Sequence, residues 1–73
     1  MTRPEVHRDD ALLLRYREAW ERLGFSRSIF FREIRLGRIR VLPTPAGPRI
    51  LVRDLKAYVD LLEREAEETR EAS

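Results

Sequence analysis

Apolar positions change period twice along the chain. From Met1 to Asp10 charges mix around Pro4 with no apolar period, and the stretch reads as a mobile arm. Ala11 to Tyr16 is apolar enough to pack. Arg17 to Leu23 sets Ala19, Trp20 and Leu23 on one side of a short helix, and Gly24 suits the left-handed residue just past its end. Phe25 bridges the turn, and Ser26 is placed to cap a second helix from about Arg27 to Leu36, which Gly37 stops. Two short helices joined by a few residues that include glycine make a helix-turn-helix.

Beyond Gly37 the pattern is strand-like. Arg38 to Leu42 and Arg49 to Val52 alternate β-branched residues with others, and Pro43 to Pro48 lies between them. Pro45 and Gly47 fit positions i+1 and i+3 of a type I turn that starts at Thr44, so the pair predicts a β-hairpin. A third helix is expected from Arg53 or Asp54, with the acid in its first turn and an apolar stripe of Leu51, Leu55, Tyr58, Val59 and Leu62. After Leu62 the stripe fades into a charged stretch that i, i+4 pairs can carry as solvated helix, fraying before Ser73.

At 73 residues the chain has room for one small domain and little for an enclosed active site. Its longest apolar run, Ala11 to Leu14, is far below a membrane span, and Thr2 to Asp10 is too polar for a signal peptide, so a cytoplasmic protein is expected. With no cysteine there is no disulfide, thiolate metal site or thiol nucleophile. The only histidine, His7, sits in the arm, and the paired carboxylates lie on exposed segments where nothing would tune a general acid. Gly24, Gly37 and Gly47 are too far apart for a phosphate-binding loop. Neither catalysis, nor a metal, nor a cofactor is expected.

Net charge is +2, yet its distribution is uneven. Met1 to Phe25 balances five basic residues with five acidic ones. Ser26 to Arg53 carries seven arginines against Glu33 alone, and Asp54 to Ser73 carries three basic residues against seven acidic ones. The middle of the chain is therefore the part that attracts an anion. On the second helix, at about 100° per residue, Ile34 falls beside Phe30 while Ser28, Arg32 and Arg35 fall opposite, with Phe31 at the border. Arg27 stands at the helix N-terminus, where phosphates bind well. A solvated helix face accounts for two arginines, but an ordinary surface mixes signs, and this excess runs on through Arg38, Arg40 and Arg49. A helix of major-groove width followed by a basic hairpin is the simpler reading.

The turn Leu23-Gly24-Phe25-Ser26-Arg27-Ser28, the helix-ending Gly37 and the Arg53-Asp54-Leu55 entry to the last helix resemble the excisionase and AlpA-type proteins of the MerR-like winged helix-turn-helix superfamily. The resemblance spans about residues 12 to 62. It implies a small DNA-binding protein of a phage, integrated element or bacterial regulator, with the second helix in the major groove and the hairpin on the backbone or in the minor groove. Arg27, Ser28, Arg32 and Arg35 would then be groove or phosphate contacts, and Arg40 and Arg49 wing contacts. Three positions depart from the family pattern: Trp20 where a small residue is usual, Glu33 where an apolar one is common, and an uncharged Pro-rich wing tip.

The expected fold is thus α+β, a small winged helix-turn-helix of two short helices, a hairpin and a C-terminal helix over residues 11–63. Residues 1–10 form an arm and 64–73 a charged tail. Its expected core is Leu13, Ala19, Leu23, Phe25, Phe30, Ile34, Ile39, Val41, Ile50, Val52, Leu55, Tyr58, Val59 and Leu62. The expected function is sequence-specific binding of double-stranded DNA, in recombination directionality beside an integrase or in transcriptional regulation. Arg27, Ser28, Phe31, Arg32, Arg35, Arg38, Arg40 and Arg49 are the candidate contacts. Further copies of the chain, joined head-to-tail on DNA through the acidic tail and the basic hairpin, are possible partners. The alternative is a protein-interaction module that uses Trp20, the Pro-rich wing and the acidic last helix.

Overall fold

The computed structural model describes residues 12–72, so the arm of residues 1–10 lies outside it. Six elements follow one another: β1 (Leu13–Leu14), α1 (Tyr16–Leu23), α2 (Arg27–Arg35), β2 (Leu42–Thr44), β3 (Gly47–Leu51) and α3 (Val52–Ala72). The three strands form one antiparallel sheet in the order β1-β3-β2, so the fold is a small α+β one. None of the described helices is long and apolar enough to cross a membrane.

Helix boundaries obey local chemistry. The backbone N–H of Arg15 donates to Glu18 Oε1 at 3.1 Å and starts α1. At its other end Gly24 adopts φ +72°, and the Gly24 and Phe25 N–H groups donate to the carbonyls of Glu21 and Trp20. Ser26 Oγ then accepts the Ile29 N–H at 3.2 Å and opens α2. Gly37, at φ +74°, closes it, with its own N–H on Ile34 O and that of Arg38 on Glu33 O.

The hairpin begins later than the alternation predicts. Residues Arg38 to Val41 make no ladder, because Arg38 is held back against the end of α2 and Ile39 is buried from an irregular segment. Pairing starts at Leu42↔Arg49 and ends at Thr44↔Gly47, with Pro45 and Ala46 at the tip. Neither tip residue has positive φ, which excludes the primed turns usual in two-residue loops; Gly47 at φ +108° takes up the twist instead. Thr44 Oγ1 donates to Gly47 O at 2.6 Å and accepts the Ala46 N–H at 3.2 Å, which braces the turn.

β1 is a strand that the apolar pattern does not predict. Leu14 pairs with Ile50 and both are fully buried, whereas Leu13, the expected core residue, pairs with Leu51 and is 40% exposed. Adjacent leucines carry no alternation, so only pairing with β3 decides which one points inward. The buried core is Leu14, Ala19, Phe30, Ile39, Ile50, Leu55 and Tyr58, with Leu23, Phe25, Ile34, Val41, Val52 and Leu62 packed half-buried around it. Val59, also expected in the core, lies at the edge of the α3 stripe and is 38% exposed. Phe30 is the hub of the core: the rings of Tyr16, Trp20 and Phe31 stand 5.6–5.9 Å from it, edge-on.

α3 runs on through Ala72, as the i, i+4 charges of its last stretch allow, but Glu65 in that stretch is bound to Arg38 rather than left to solvent. Trp20 is half-buried and packs on Phe30.

Candidate nucleic-acid interface

α2 has two distinct faces. Its inner side inserts Phe30 and Glu33 into the core, while Arg27, Ser28, Arg32 and Arg35 are exposed. Arg27, Ser28, Phe31 and Arg35 line one shallow depression on the outer side. The Arg27 guanidinium lies 5.5 Å from the centre of the half-buried Phe31 ring, a cation–π contact along one turn of α2. Phe31 is fixed in turn by Tyr16, edge-on at 5.4 Å. Arg32 lies exposed on the same helix, outside that depression.

The hairpin contributes Arg49. This residue shares a second, larger groove with Arg27 and Phe31, and its Nη1 donates to Pro48 O at 2.9 Å. Arg40 is exposed in the segment between α2 and β2 and lines neither depression.

Arg38 is the exception among the candidate contacts. Its Nε donates to Glu33 Oε1 at 2.8 Å, and Nη1 and Nη2 hold Glu65 in a fork at 2.8 and 2.5 Å. The two carboxylates raise the guanidinium's already high proton affinity further. With Nε, Nη1 and Nη2 each bonded to a carboxylate of the chain, Arg38 ties the end of α2 to α3.

Glu33 explains that tie. Only 8% exposed, it accepts the Tyr58 phenol O–H at 2.6 Å on the same Oε1 that receives Arg38. The Tyr58 bond first, and then Arg38, hold its carboxyl below the ordinary carboxylate range against the opposing effect of burial. Glu65 is likewise lowered, chiefly by its hydrogen bonds from Arg38. In the other direction, burial and then the bond to Glu33 push the Tyr58 phenol up to about 12. The chain Tyr58–Glu33–Arg38–Glu65 is thus a satisfied polar network, and the single acid of the basic middle segment belongs to the core.

The larger groove also draws in Arg15 and Arg17, which the sequence pattern passed over because Glu18 and Glu21 offset them on α1. Among the described residues no group of three or more His, Asp or Glu side chains is placed to hold a metal ion. His7 lies outside the described residues. No family model, curated protein or solved structure matches this chain.

Proposed function

We propose that the chain binds double-stranded DNA and has no catalytic activity, with α2 in the major groove and the β2–β3 hairpin against the backbone. The observation that carries this reading is the different fate of the arginines. Arg38 is paired with carboxylates, whereas Arg27, Arg32 and Arg35 stand exposed on α2 and make no ion pair with a carboxylate among the described residues. Cations kept free on one helix face suit a polyanion, and the planar fork of arginine suits both phosphate oxygens and guanine edges. Arg27 and Ser28 at the first turn of α2 are phosphate contacts in this arrangement, Arg32 and Arg35 base contacts, and Arg49 a wing contact. The tip, Pro45 and Ala46, has no charge and adds nothing to counterion release.

Anisotropy of a labelled duplex, measured at two salt concentrations, tests the assignment. Affinity should fall steeply as salt rises; an affinity independent of salt refutes it. At a site selected from random duplexes, Arg32→Ala or Arg35→Ala should each cost roughly 1–3 kcal/mol and relax the preference at one base pair. Equal losses on selected and random DNA would make them phosphate contacts. Within this reading the chain serves as a recombination directionality factor or as a transcriptional regulator of a phage or mobile element. DNA bending at the selected site and co-binding of an integrase separate the first role from the second.

A further inference from the structure

The groove between α1, the start of α2 and the hairpin is built for more than the support of a recognition helix. Arg15 and Arg17 come to it from the start of α1, Arg27 from α2 and Arg49 from β3. Four arginines from three elements thus line one open groove. Between them Tyr16, Trp20 and Phe31 are half-buried, so each leaves part of its ring on the surface. The one carboxylate in the groove is Glu21, paired at 3.1 Å with Arg17; both side chains are well exposed, and water weakens such a pair.

A strand of DNA presents the complement of this surface: anions at regular intervals, with the apolar edges of the sugars between them. We propose that the groove carries the sugar-phosphate backbone of the strand flanking the major groove that α2 enters, with Arg15 and Arg17 as phosphate ligands. This rests on the DNA-binding reading above and adds to it a line of contact along α1. Phosphate contacts fix register and orientation without reading sequence. Arg15 and Arg17 therefore hold α2 at a set depth and angle, while Arg32 and Arg35 do the reading. Glu21 limits the affinity by repelling the same phosphates and by competing for Arg17.

Trp20 makes the proposal testable on the full chain, since it is the only tryptophan and lines the groove. Saturation with a short fluorescein-labelled duplex, followed by anisotropy, should shield Trp20 from quenching by acrylamide. Arg15→Ala with Arg17→Ala should weaken binding about tenfold or more at low salt and lower the slope of log affinity against log salt by about 1.8, two phosphates' worth. The ratio of selected-site to random-site affinity should stay the same. The α1 cap survives these changes, because it uses the Arg15 backbone N–H, and an unchanged melting curve verifies the fold. Glu21→Gln should strengthen binding several-fold at low salt and leave it unaltered at high salt. A wild-type salt slope in the double variant, or a Trp20 equally quenched with and without bound duplex, overturns the groove proposal while DNA binding stands. If the wild-type chain binds no duplex at all, both readings fall.

Discussion

Tyr58→Phe removes one oxygen from the core and leaves the ring in place. The phenol O–H it deletes donates to Glu33 Oε1 at 2.6 Å, between a tyrosine 3% exposed and a glutamate 8% exposed. A hydrogen bond to a charged group contributes about 1.5–3 kcal/mol. Glu33 retains Arg38 Nε at 2.8 Å, so no buried charge is stranded, and the expected loss is about 2 kcal/mol. In a domain of this size each kcal/mol moves the melting temperature by about 4–8 °C, so the variant should melt about 8–16 °C lower at neutral pH. The pH dependence is a second signature. Because the folded phenol titrates at about 12, above its ordinary value, its stabilisation is complete below about pH 10 and lost as pH rises through about 12. The wild type should therefore lose stability along an alkaline arm that Tyr58→Phe lacks. The acid arm of the Tyr58→Phe variant should also be shallower, since the Tyr58 bond is the main cause of the lowered Glu33 carboxyl. That lowered value gives stability present above the ordinary glutamate range and lost as pH falls below it. Circular dichroism melts across pH measure both arms. A drop of less than about 2 °C at neutral pH, or alkaline arms of equal depth, would refute the assignment of this network as a support of the fold.

Two further outcomes follow from the packing and the charge division. Phe30→Ala empties the hub against which Tyr16, Trp20 and Phe31 stand edge-on, and should cost about 3–5 kcal/mol by denaturant unfolding; an unchanged midpoint would mean that α2 faces the other way. Truncation after Ala66 keeps Glu65 on Arg38 and should change stability by no more than about 0.5 kcal/mol. If the acidic end of α3 meets the basic hairpin of a neighbouring copy on DNA, cooperative filling of a multi-site duplex should fall with that truncation, and unchanged cooperativity would discard the head-to-tail contact.

Local chemistry in the sequence was enough for the helix-turn-helix. Gly24, Ser26 and Gly37 act through backbone groups within a few residues of themselves, so their caps are legible without knowledge of the rest of the fold. The same holds for the Thr44–Gly47 turn and for the outward face of α2, where the arc opposite Phe30 is exposed as its spacing requires. What the pattern could not reach depended on partners far along the chain. Leu13 and Leu14 are chemically equal, and pairing with Leu51 and Ile50 alone decides which is core. Arg38 looked like one more cation in a basic run until Glu65, 27 residues away, and Glu33 closed around it. Arg15 and Arg17 looked neutralised on their own helix, and only the docking of α1 beside α2 and β3 sets them in a groove with Arg27 and Arg49. Sequence fixes what each residue can offer within one turn of helix or one tight turn of chain; the packing of α1, α2, β3 and α3 against one another decides which charges are consumed inside the molecule and which remain for a partner, because charge pairing is set by distance in space.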